Sequence, residues 1–61
     1  MRNIDEIFAT VADQVRHWYR IGKIESIDRE TVEEAAEYVL SPDELDLAYD
    51  NRVIRDVLMS I

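Results

Sequence analysis

The chain has no cysteine, one glycine, one proline and one histidine among its 61 residues, and each scarcity rules something out. Without cysteine there are no disulfides and no thiolate metal ligands, and His17 alone cannot build a structural zinc site. With Gly22 the sole glycine, a glycine-rich phosphate-binding loop cannot be assembled. Nucleophilic catalysis needs a base held by a third group, whereas the single imidazole lies among charged neighbours on a helical face. No apolar run approaches the roughly 20 residues of a membrane span, and Met1-Arg2-Asn3-Ile4-Asp5-Glu6 lacks the apolar core of a signal peptide. The expectation is a non-enzymatic protein of the cytoplasm, with no cofactor, no metal and no membrane contact.

What is present is helical periodicity. Ile4, Ile7, Phe8, Val11, Ala12, Val15, Trp18 and Tyr19 recur at intervals of three and four, which gathers them on one face of a helix. Asn3 is a good N-cap with Glu6 three residues on, and Arg16, Arg20, Lys23 and Gly22 mark the other end, so the first helix spans about 4–21. Ile24 and Ile27 are expected to tuck under the end of the core. Asp28 opens a second helix over about 29–40, with Val32, Ala35, Ala36, Val39 and Leu40 inward. Ser41-Pro42-Asp43-Glu44 is the sharpest local signal: a capping serine, a proline at the first helical position and a glutamate completing a capping box. Proline also stops the helix before it, so almost no loop is left at the corner.

Beyond that corner two apolar faces appear. Leu45, Ala48 and Tyr49 form one, while Val53, Ile54, Val57, Leu58 and Ile61 form another, rotated by more than a quarter turn. One continuous helix over about 42–60 is the favoured reading, with a bend or break near Asp50-Asn51 as the alternative. In the continuous case the C-terminal face meets a second copy, making Ile54, Val57, Leu58 and Ile61 the self-association residues and the protein a homodimer. The fold expected is an all-α three-helix mini-domain covering residues 1–61.

Charge is unevenly placed. The formal net charge is −7; blocks 1–24, 25–51 and 52–61 carry +1, −9 and +1. Such a field disfavours direct nucleic-acid binding, which relies on clustered Lys and Arg. Three bland readings precede the sharper ones: acidic helices are soluble, Trp18 and Tyr19 lie at the edge of a core stripe, and an exposed tyrosine is often just surface. Against them, Glu30, Glu33, Glu34 and Glu37 can meet a basic partner or imitate a phosphate backbone, and Tyr38 beside them suits a contact surface. Arg16, His17 and Arg20 form, with Lys23, a basic patch suited to an acidic surface on a partner or a second copy. Asp46 and Asp50, one turn apart, could hold a cation, although such pairs arise by chance in a chain this acidic.

In size, charge and helical content the chain resembles the small acidic helical accessory proteins encoded in the early regions of lambdoid phages. The resemblance is one of overall character with no matched motif, so no residue's role is carried over. It implies a regulatory factor that modulates host or phage machinery by protein contact, in the host cytoplasm. Two other classes stay open: a DNA-mimic inhibitor of a restriction, CRISPR or transcription protein, and an assembly subunit.

Overall fold

The computed structural model describes residues 2–61. Among them lie four α-helices and no strand: α1 Ile4–Arg20, α2 Arg29–Val39, α3 Pro42–Asp50 and α4 Val53–Ser60. The all-α class is as the periodicity indicates. The expected third helix, however, is two.

The helix starts follow from their caps. The Asn3 side chain accepts from the Glu6 amide at 2.9 Å. Asp28 accepts from the Thr31 amide, and the Thr31 hydroxyl in turn accepts from the Asp28 amide, both at 2.9 Å. Ser41 and Glu44 exchange the same pair of bonds at 3.3 and 3.1 Å. Each box satisfies amides that a helix start leaves without intrahelical partners. At the end of α1, Gly22 adopts a left-handed φ of 80°. The Lys23 amide then donates to the Trp18 carbonyl at 2.9 Å and the Gly22 amide to the Tyr19 carbonyl at 3.3 Å, a Schellman closure.

The break between α3 and α4 falls at Arg52, among the described residues the one non-glycine with positive φ, at 58°. Asn51 caps α3 by donating its amide and its side-chain Nδ2 to the Leu47 carbonyl, at 3.0 and 2.9 Å. Arg52 takes the left-handed position after it, and α4 restarts when the Asp56 amide reaches the Arg52 carbonyl at 3.0 Å. This single residue redirects the chain so that the second apolar face turns into the same core as the first.

That core collects Ile7, Val11, Ala12, Val15 and Trp18 from α1, Val32, Ala35 and Ala36 from α2, Leu40, Ala48 from α3, and Val53, Ile54 and Val57 from α4. Ile24, Ile27 and Leu58 pack against it, partly buried. Ile54 and Val57, expected to face a second copy, are therefore interior residues of one chain. The reason is the Arg52 turn: a straight helix would have carried their face away from Ala48, and the break brings it back. Leu58 is half-buried, and of that quartet only Ile61 is exposed.

A further tie lies outside the apolar core. Arg2 places its Nε and Nη2 against the two carboxylate oxygens of Glu44, each at 2.9 Å. Its Nη1 donates to the Thr10 hydroxyl and its Nη2 to the Val39 carbonyl, each at 3.1 Å. One guanidinium thus joins α1, the last carbonyl of α2 and the first turn of α3. Glu44 is buried, yet both of its carboxylate oxygens accept hydrogen bonds, the condition under which a buried charge is tolerated. Hydrogen bonding from Arg2, then from the Ser41 backbone, holds its carboxyl at about 2, well below the ordinary 4.5. Arg2 is correspondingly raised.

Candidate interaction surfaces

The last turns of α1 present side chains in two directions. Trp18 points inward and is buried, whereas Tyr19, one residue and about 100° further round, is 53% exposed. Tyr19 does not belong to the core stripe in which its spacing placed it. With Arg16 and Arg20 from α1, Ile27 from the connection to α2, and Ile61 at the C-terminus, it lines a concavity of about 510 Å³. A neighbouring hollow of about 300 Å³ shares Arg16 and Arg20 and adds Asp13 and His17. Of the Arg16, His17 and Arg20 patch read from the sequence, Arg16 and Arg20 rim this groove while His17 lies in the neighbouring hollow, and the groove's apolar wall comes from residues assigned elsewhere. Local periodicity carries no signal for this union, because Ile27 and Ile61 are brought to α1 only by the path of the whole chain. Arg16 makes one loose contact with Asp13, at 3.8 Å, between exposed side chains. A pair of this kind constrains little.

On the other side of the α1 end sits an aromatic platform. The Trp18 and Tyr38 rings are 5.5 Å apart at a tilt of 56°, and the Lys23 ammonium lies 4.6 Å from the Trp18 ring centre. The Schellman closure at Gly22 positions Lys23 there, so one backbone device serves both helix termination and a cation–π contact. Tyr38 is 71% exposed despite its contact with Trp18.

The acidic row of α2 divides. Glu30, Glu34 and Glu37 are exposed, but Glu33 is half-buried and committed. It accepts from Arg29 Nε at 2.9 Å and from the Tyr49 hydroxyl at 3.3 Å. Partial burial and this carboxylate push the Tyr49 phenol above its ordinary value. A phosphate-like row on α2 thus has three carboxylates to offer and not the four counted in the sequence. Asp46 and Asp50 are exposed, and among the described residues no three His, Cys, Asp or Glu side chains are grouped to hold a metal ion. No helix among these residues is long and apolar enough to cross a membrane.

Chemically, the Tyr19 groove offers two guanidiniums, a phenol and two aliphatic side chains, a set complementary to an apolar side chain flanked by carboxylates. Comparison with known protein families, with characterised proteins and with solved structures returns no match for this chain.

Proposed function

We propose that this protein is a non-enzymatic, protein-binding regulatory factor whose recognition surface is the groove formed by Arg16, Tyr19, Arg20, Ile27 and Ile61. The partner segment is amphipathic and acidic, with an apolar anchor seated against Tyr19 and Ile61 and carboxylates meeting Arg16 and Arg20. The observation that carries this reading is the placement of exposed apolar side chains inside a rim of guanidiniums, in a chain whose net charge is −7. Arginine and tyrosine are the residue types that dominate binding energy at protein interfaces. Local pairing decides the match, because at physiological salt charges beyond about 8 Å are screened.

The test uses a photo-crosslinking amino acid in place of Tyr19, with the same group at Asp43 as a control, in cells that naturally produce the protein. Position 19 is expected to capture a foreign segment rich in Asp or Glu around an apolar residue, and Arg16→Glu with Arg20→Glu is expected to abolish the capture while leaving the helical spectrum unchanged. Equal capture from position 43, or a captured segment lacking acidic residues, overturns the proposal. Capture of a second copy through Glu30, Glu34 or Glu37 overturns the foreign-partner assignment in favour of homodimerisation, and solution mass then reads twice the chain.

A further inference from the structure

A second concavity, separate from the Tyr19 groove, lies where the start of α2 meets the α3–α4 junction. Arg29, Ala48, Tyr49, Arg52, Ile54 and Arg55 line it, and its volume is about 250 Å³. Three of the chain's seven Lys and Arg residues converge on this one hollow. Among the described residues, the only carboxylate bonded to a lining side chain is Glu33, which engages Arg29 and Tyr49. Arg52 and Arg55 take part in no ion pair among the described residues.

Two exposed cations side by side, in a strongly acidic protein with no carboxylate drawn onto them, are an unspent electrostatic resource. Arg52 adds a second pointer. It occupies a left-handed position where glycine or asparagine is the ordinary choice, with Asn51 directly before it. A guanidinium is kept where the backbone alone favours a smaller residue, and its side chain lines the hollow.

We infer that this hollow binds a phosphate group. Three guanidiniums less the Glu33 carboxylate leave two positive charges at the site, matching a phosphate near −2 at neutral pH. The forked donors of Arg52 and Arg55 suit bidentate contact with phosphate oxygens. The Tyr49 ring, 40% exposed, flanks them above the buried Ala48 and Ile54, which favours a monoester carrying a small aromatic group over the bare ion. Glu37 also lies near Tyr49, and Asp56 follows Arg55 on α4, so these carboxylates border the site without being bonded to Arg52 or Arg55.

The experiment is a titration of the ¹⁵N-labelled protein followed at the arginine Nε–H signals, with phenyl phosphate, inorganic phosphate and acetate at one ionic strength. Saturable shifts at Arg52 and Arg55 with both phosphates, tighter for phenyl phosphate, are expected, with acetate giving none. Equal affinity for the two phosphates supports the site and identifies its ligand as the free ion. Arg55→Gln and Arg52→Gly are each expected to weaken binding at least about tenfold, the loss of one charge-assisted contact. Both positions are exposed and glycine suits the Arg52 backbone, so the variants keep the fold. Shifts that acetate reproduces, or affinity unchanged in both variants, overturn the inference. Phosphate binding bears on this hollow alone and leaves the reading of the Tyr19 groove to its own test.

Discussion

Arg2 shows how one side chain near the start of the sequence can fix the packing of helices far along it. Its guanidinium meets Thr10, Val39 and Glu44 at once, so removing it leaves a buried carboxylate without its chief partner. Arg2→Ala and Glu44→Gln are each expected to lower Tm at neutral pH by roughly 5–10 °C, readable by thermal melts. The pH dependence has a definite sign. Because Glu44 is held at about 2 in the folded chain, against about 4.5 when unpaired, its contribution is fully present above pH 4.5 and is lost as pH falls towards 2. The stability difference between the parent and Glu44→Gln should therefore shrink over that window and stay constant above it; a difference unchanged between pH 5 and pH 2 contradicts the ion pair. The Glu44 capping box was legible in Ser41-Pro42-Asp43-Glu44. The Arg2 bond was not, since the partners stand 42 residues apart and local patterns carry no long-range pairing.

Among the elements, α4 is the instructive one. Its apolar face was readable, and so was its rotation relative to α3, but the residue that performs the turn was not. Glycine or asparagine in the left-handed position is a signal; arginine is not. Reading a straight helix then forced Ile54 and Val57 outward, and a second copy was needed to cover them. The actual break lets one chain bury both. Val57→Ala should therefore cost about 2 kcal/mol, the loss of buried methyl groups with a small cavity left behind, and leave the solution mass unchanged. Met59→Ser, on the same helix but 74% exposed, should stay within about 0.5 kcal/mol of the parent. Arg52→Gly tests the turn itself: relief of a left-handed side chain offsets the greater freedom glycine gives the unfolded state, so stability should remain within about 1 kcal/mol of the parent. A loss of several kcal/mol would mean that Arg52 holds the junction by its side chain. The helix starts at Asn3, Asp28 and Ser41 were legible because capping chemistry is local, with its partners within three residues.

Across the whole molecule, charge and apolar surface are sorted by location. The exposed carboxylates of α2 lie on one outward face, and the basic groove gathers the end of α1, Ile27 and Ile61. The basic patch could be read from Arg16, His17 and Arg20, and the exposure of Tyr38 from its place outside the α2 stripe. The groove could not, because its walls come from three separated stretches. Tyr19 was misassigned for a related reason: at the edge of a stripe, burial depends on whether a neighbouring helix arrives, and here none covers it. The acidic segment captured at position 19, made as a peptide and titrated against the parent and against Arg16→Glu with Arg20→Glu at low and high salt, tests the recognition surface most directly. Affinity for the parent is expected to fall as salt rises, and the doubly substituted protein, unchanged in Tm, is expected to bind at least about a hundredfold more weakly. Equal affinity of the two proteins at both salt concentrations would contradict a guanidinium-rimmed groove as the site of recognition.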